Sequence, residues 1–186
     1  MKIYTIIGGV NGTGKSSLTG ALKAERTDLG IIIDVDKIAA ERNISNLEAG
    51  KIAIKRIDEC LEKGASFTQE TTLSGYRTER IAKEARDKGY YIRLYYIGLD
   101  TFEECLKRIE NRVSKGGHDI PEDDVSRRFE QRFDSLIKIL PFCDEVSLFD
   151  NDNGFVEVAE YRNGEIIPKT KMIPHWLKAL MSDFDN

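Results

Sequence analysis

Histidine and cysteine are scarce in this 186-residue chain, and that scarcity narrows its chemistry. Two histidines, His118 and His175, are too few for a histidine-based zinc site. Three cysteines, Cys60, Cys105 and Cys143, are odd in number, far apart and without a C-x-x-C pair. They read as buried or incidental thiols in a reducing cytosol, so a cytoplasmic protein is expected. A G-x-S-x-G elbow is missing, which leaves serine-hydrolase chemistry without support. No apolar run approaches a membrane span, and the N-terminus lacks the basic, apolar and cleavage-site order of a signal peptide. A basic excess is missing too. The 28 basic and 32 acidic side chains give a net charge of −4, which argues against nucleic acid or an anionic membrane as partner. Repeats and low-complexity tracts are absent.

What is present starts at Gly9. Residues 9–16 read Gly-Val-Asn-Gly-Thr-Gly-Lys-Ser, a full G-x-x-x-x-G-K-[ST] phosphate loop. The apolar, β-branched run Ile3–Ile7 ahead of it predicts a buried strand. Ser17–Arg26 behind it has a helical stripe of Leu18, Ala21 and Leu22. Strand, glycine-rich loop and helix are the context in which backbone N–H groups curl around phosphate oxygens at a helix start. The nucleotide-binding candidates are therefore Gly9, Asn11, Gly12, Thr13, Gly14, Lys15, Ser16 and Ser17. Lys15 would reach the β- and γ-phosphates and Ser16 would ligate Mg²⁺. A dinucleotide fingerprint fits worse, because Ser17 occupies its third glycine position.

Strand and helix patterns alternate along the rest of the chain. Strands are expected at Gly30–Asp34 (buried), Ser66–Glu70, Tyr90–Gly98 and Glu145–Asp150. Ser45 with Glu48, and Thr101 with Glu104, form capping boxes opening helices to about Lys63 and Val113. Tyr76–Lys88 is an amphipathic helix closed by Gly89, and one helix is expected from Pro121 to about Leu140. Asn163-Gly164 is a tight turn between Val156–Tyr161 and Glu165–Ile167, and Pro174–Met181 reads as a short helix carrying Trp176. The tyrosines at 90, 91, 95 and 96 read as core and strand-face packing rather than a stacking platform for bases. The pattern predicts an α/β three-layer sandwich of the P-loop NTPase type: a mostly parallel sheet with helices on both faces, a helical lid and a C-terminal hairpin. One domain over 1–186 is expected, with the lid at 112–132 and the hairpin and short helix at 155–186.

Ligands of such sheets bind beyond the carboxyl ends of the strands. Asp34 and Asp36 stand two apart there and, if extended, point to one side. Either could accept the proton of an attacking hydroxyl, and Asp36 could instead cap the helix that follows. Glu70 ends the third strand, where a carboxylate holds Mg²⁺ through water or contacts substrate. Arg112, Lys115, His118, Arg127, Arg128 and Arg132 flank Gly116-Gly117. Such a hinged basic segment would close over triphosphate; its bland alternative is a solvated hairpin paired to neighbouring acids.

These segments resemble a known family. The phosphate loop, then Ile-Ile-Asp-Val-Asp, Ser-Phe-Thr-Gln-Glu-Thr-Thr-Leu-Ser-Gly, Gly-Gly-His-Asp-Ile-Pro-Glu and Leu-Phe-Asp-Asn, are similar to the zeta-toxin family of P-loop kinases, most of all its short bacterial branch. The resemblance spans about residues 3–154. Well-studied zeta toxins phosphorylate an amino-sugar hydroxyl of UDP-N-acetylglucosamine with ATP and Mg²⁺. The resemblance implies Lys15 on phosphate, Asp36 beside the attacking hydroxyl and Glu70 at substrate or metal. The toxins place an arginine about three residues before the lid proline; here that position is His118. Arg127 or Arg128 would supply the later basic contact, and longer insertions that help the toxins hold nucleotide sugar are missing.

The combined expectation is an ATP- and Mg²⁺-dependent kinase acting on a small hydroxyl-bearing metabolite, with a nucleotide sugar one candidate. Asp36, Glu70, Arg127 and Arg128 are its catalytic residues, Arg112 and His118 add to the nucleotide site, and Ser16 and Glu70 serve the metal. GTP stays open beside ATP, because Asp150-Asn151 is only a positional candidate for reading the base. The alternative is a nucleotide-dependent switch acting on a protein partner, which needs no general base. An antitoxin-like partner is open, but no residue here points to one.

Overall fold

The structure is a computed structural model that describes residues 1–117 and 119–185. In chain order its elements are β1 (Ile3–Gly8), α1 (Lys15–Glu25), β2 (Ile31–Ile33), α2 (Val35–Arg42), α3 (Asn46–Lys63), β3 (Phe67–Thr71), α4 (Arg77–Asp87), β4 (Tyr91–Gly98), α5 (Phe102–Val113), α6 (Glu122–Glu130), α7 (Asp134–Ile139), a 3₁₀ turn at Leu140–Phe142, β5 (Glu145–Asp150), β6 (Val156–Arg162), β7 (Glu165–Pro168) and α8 (His175–Phe184).

The strands form one seven-stranded sheet in the order β2-β3-β1-β4-β5-β6-β7. The first five run parallel, while β6 and β7 turn back antiparallel. Consecutive strands separate at β1, which lies between β3 and β4. That separation opens the crevice at the carboxyl end of the sheet where α/β proteins bind ligands. Every residue of β1 is buried, as befits a central strand of a sheet covered on both sides.

Alternation along the strands divides the core. Tyr4, Ile6, Ile92, Leu94, Tyr96 and Leu148 face α3, α4, α7 and α8 in the largest cluster. Ile7, Tyr95 and Ile97 face the other way, onto Leu18 and Leu22 of α1. At the carboxyl end, Val10 and Leu99 pack with Cys105 and Ile109 of α5 and Val125 of α6. Each fully buried aliphatic side chain contributes about 1.5–3 kcal/mol. Of the four tyrosines read as packing residues, Tyr90, Tyr95 and Tyr96 are buried, and Tyr91 is half-buried.

Local signals explain most element ends. Ser45 and Glu48 form the reciprocal box that starts α3. Asn163 and Gly164 both take positive φ, 54° and 86°, as a two-residue hairpin turn requires. Three expectations are corrected. Thr101 caps α5 by accepting from Glu104 N, but the Glu104 carboxylate turns to Arg108, so only half of that box forms. β2 is a short strand at the sheet edge with Ile31 half exposed, not a buried strand. The segment after Pro121 is not one helix. It breaks at residues 131–133, where the Arg132 guanidinium lies 3.9 Å from the Phe129 ring centroid and 4.4 Å from that of Phe133. The break lets α6 pack at the crevice through Val125 while Leu136 and Ile139 of α7 join the core under the sheet.

Candidate active site

The chain leaves β1 at Gly8 and loops back through Gly14, the N-cap of α1. Gly14 has φ 99°, and a Cβ there would sit 2.6 Å from Asn151 Nδ2, so only glycine fits. Thr13 is fully buried and its hydroxyl donates to Val10 O at 2.9 Å, pinning the loop from within. Asn151 at the end of β5 donates its amide to Thr13 O at 2.8 Å. The side chain marked as a base-reading candidate lines the cavity and braces the phosphate loop through this bond.

Lys15 opens α1, and its ammonium donates to Gly9 O at 2.8 Å and Val10 O at 3.0 Å. Burial lowers its pKa to about 8, against the opposing pull of Glu70, Asp36 and Asp34. Ser16 Oγ donates to Glu70 Oε2 at 2.7 Å. Thr19 Oγ1 lies 2.6 Å from Glu70 Oε1 and 3.0 Å from Lys15 O. Thr19 went unnoticed in the sequence, although it stands three residues after Ser16 and so shares its side of the helix. The parallel register that sets Ile7 opposite Glu70 brings this carboxylate to the loop.

The two aspartates have separate places. Asp34, not Asp36, caps α2: its Oδ1 accepts from Asp36 N at 3.0 Å and Lys37 N at 3.3 Å. The extended geometry stops there, so Asp36 lies in the first helical turn. Burial and the neighbouring Glu70 raise the pKa of Asp34. Asp36 lies on the cavity wall with an oxygen 4.0 Å from Arg112 Nη1.

These groups meet in a cavity of about 1270 Å³. Its lining includes Asn11, Gly12, Gly14, Lys15, Ser16, Ser17, Asp36, Glu70, Arg112 and Arg128. Gly9 and Thr13 shape the loop from behind, Gly9 through its carbonyl and Thr13 through its hydroxyl. Arg128 Nη1 donates to Asn11 Oδ1 at 2.8 Å, and its Nε is buried without a partner among the described residues. Arg127 is not brought to the cavity; it is exposed and pairs with Asp124. Lys115 lines a smaller hollow beside Arg108 and Arg112. Arg132 is held between phenyl rings, and His118 lies outside the described residues.

A hydroxyl and a carboxylate oxygen 2.7 Å apart, Ser16 Oγ and Glu70 Oε2, are a hard-oxygen pair of the kind Mg²⁺ accepts when phosphate and water complete its shell. The residues present fit that metal. The arrangement combines a phosphate cradle, a metal-compatible oxygen pair and a carboxylate facing the same space, which is the equipment of phosphoryl transfer. No helix among the described residues is long and apolar enough to cross a membrane.

Comparison with known proteins agrees with this architecture. An uncharacterized protein of Haemophilus influenzae is 36% identical over 126 residues, covering 65% of this chain and 88% of the relative. A structure from the PezAT chromosomal toxin–antitoxin system of Streptococcus pneumoniae has a TM-score of 0.62 at 16% identity, over all of this chain and 85% of that one. The AvrRxo1-ORF1:ORF2 complex with ATP has a TM-score of 0.66 at 20% identity, over 91% of this chain and 61% of that one. The Zeta toxin family profile matches residues 1–156. The chain belongs to the zeta-toxin family.

Proposed function

We propose that the protein is an ATP- and Mg²⁺-dependent phosphotransferase acting on a hydroxyl of a small metabolite, with a nucleotide sugar as one acceptor class. The observation that carries this reading is the single cavity shared by Lys15, Ser16, Glu70 and Asp36. The solved AvrRxo1 complex contains ATP, and the family resemblance points to the same donor.

In this reading the phosphate loop and Lys15 hold the β- and γ-phosphates. Ser16 and Glu70 would hold Mg²⁺, whose chemistry there would be charge neutralisation. Asp36 receives the proton of the acceptor hydroxyl as its oxygen bonds to the γ-phosphorus; the bond to the β–γ bridging oxygen breaks and ADP leaves. Lys15 exchanges the Gly9 and Val10 carbonyls for phosphate oxygens. Arg128, held on Asn11, and Arg112, beside Asp36, would supply the positive charge that stabilises the migrating phosphoryl group.

The test is transfer from labelled ATP or GTP into a metabolite pool that includes nucleotide sugars. A labelled organic product supports the reading. Release of labelled inorganic phosphate alone, with any acceptor offered, supports a nucleotide-hydrolysing switch instead.

A further inference from the structure

Asn11 stands at one of the unspecified positions of the G-x-x-x-x-G-K-[ST] pattern, and the backbone there does not ask for asparagine. The left-handed conformation of this turn falls on Gly12, at φ 84°, while Asn11 is not among the non-glycine residues at positive φ. Alanine would fit the same backbone. Yet the Asn11 side chain is nearly buried, at 7% exposure, and a polar group so placed needs a partner. Its Oδ1 accepts from Arg128 Nη1 at 2.8 Å, across 117 residues of chain.

That bond is one of two ties between α6 and the phosphate loop. Val125 is fully buried and packs in one cluster with Val10, the residue before Asn11. Val125 and Arg128 lie three residues apart in α6 and so share a side of the helix. Ile120 and Phe129 pack against the same cluster. The helix that carries Arg128 is thus docked on the loop, and Arg128 reaches the cavity wall without a closing motion.

The docking opposes stability at one point. Arg128 Nε is buried with no partner among the described residues, and an unmet buried N–H is unfavourable. Arg127 avoids this by staying exposed on Asp124. A purely structural tie has no use for a guanidinium here, since an aliphatic side chain beside Val125 would hold the helix with no unmet donor. What the arginine adds is a positive charge held at the cavity.

We propose that Asn11 is a positioning residue: by accepting from Nη1 it keeps Arg128 in the orientation that meets the migrating phosphoryl group, and it acts on turnover through Arg128. This rests on the phosphotransferase reading and adds a residue to it. A charge already oriented stabilises the transition state without reorganising as the reaction proceeds. An arginine released from Asn11 keeps its charge but samples several rotamers, and is in place for only part of the time.

The experiment is a double-mutant cycle on Asn11→Ala and Arg128→Ala. It reads the rate of label release from γ-labelled ATP with Mg²⁺ and the metabolite pool, whether into an organic product or as inorganic phosphate. Calorimetry with a non-hydrolysable ATP analogue reads affinity. Asn11→Ala is expected to slow turnover about tenfold while analogue affinity changes less than about threefold. The double variant should be no slower than Arg128→Ala alone, because nothing is left for Asn11 to position. Asn11→Ser keeps a polar group on the loop but is one bond shorter, and should behave like Asn11→Ala; it serves as the test if the alanine variant does not fold. A wild-type rate in both Asn11 variants, multiplied losses in the double variant, or an affinity loss as large as the rate loss would overturn the positioning role while leaving the phosphotransferase reading in place. No turnover by wild type with any acceptor would remove that reading, and this role with it.

Discussion

Thr19 Oγ1 donates a 2.6 Å hydrogen bond to Glu70 Oε1 from a buried position one helical turn beyond Lys15. Ser16 holds the other carboxylate oxygen. When Ser16 turns to a metal, Thr19 is the contact left to keep Glu70 aimed. Thr19→Val is expected to fold, to need more Mg²⁺ for half-maximal rate and to lose about 10–100-fold in activity, the range for groups that orient a metal-site residue. Thr19→Ser should recover most of it. A Mg²⁺ titration of rate for the three proteins checks this; unchanged Mg²⁺ dependence in Thr19→Val assigns the bond to folding alone.

Lys15 has a pKa lowered to about 8 in the unliganded protein. Phosphate favours the charged ammonium, so nucleotide binding takes up a proton once the free lysine has lost it. Below pH 8 affinity should be nearly independent of this group. Above it, affinity should fall by up to about tenfold per pH unit, until the pKa of the bound state is reached. Calorimetry in buffers of different ionisation enthalpy reads both the affinity and the proton uptake. Constant affinity with no proton uptake from pH 7 to 9.5 contradicts the assignment.

Arg127 and Arg128 are sequence neighbours with different surroundings. Arg128 bonds Asn11 of the phosphate loop and lines the cavity, whereas Arg127 is not among the lining residues and pairs with Asp124. Arg128→Ala is expected to lower turnover about 10-fold or more while nucleotide affinity changes less, because charge stabilisation matters most as the phosphoryl group moves. Arg127→Ala should stay within about twofold of wild type, as an exposed ion pair contributes little. Steady-state kinetics on both variants decide it, and the reverse order would return Arg127 to the site.

Gly98 ends β4 against the indole of Trp176; a Cβ there would come within 2.3 Å of two ring carbons. The indole cannot easily retreat, since Nε1 donates to Asp150 Oδ1 at 2.8 Å and the backbone N to Asp100 Oδ1 at 2.9 Å. Gly98→Ala should cost about 1–3 kcal/mol by overpacking. Urea unfolding followed by fluorescence of Trp176, the chain's single tryptophan, reads the shift. An unchanged midpoint would mean that α8 is not fixed in this way.

Sequence legibility followed the range of the forces involved. The phosphate loop, the Ser45–Glu48 box and the Asn163-Gly164 turn are set by neighbours within a few residues, so spacing alone reveals them. The break at 131–133 was hidden because Phe129, Arg132 and Phe133 continue an amphipathic pattern; what bends the chain is the demand of two separate core clusters. Asp34 and Asp36 were indistinguishable until the point where β2 gives way to α2 was fixed. Arg127 and Arg128 differ by about 100° around a helix, and only the position of Asn11 separates them. Thr19 and Asn151 act through partners 51 and 138 residues distant, which no local pattern encodes.

The most direct measurement follows the γ-phosphate label of ATP through wild type and Asp36→Asn in the presence of Mg²⁺ and the metabolite pool. Wild type is expected to place the label on an organic hydroxyl. Asp36→Asn should keep nucleotide affinity within a few-fold but transfer label about 100-fold more slowly, as loss of a general base requires. Equal transfer by both proteins, or label appearing only as inorganic phosphate, would contradict a hydroxyl kinase that works through Asp36.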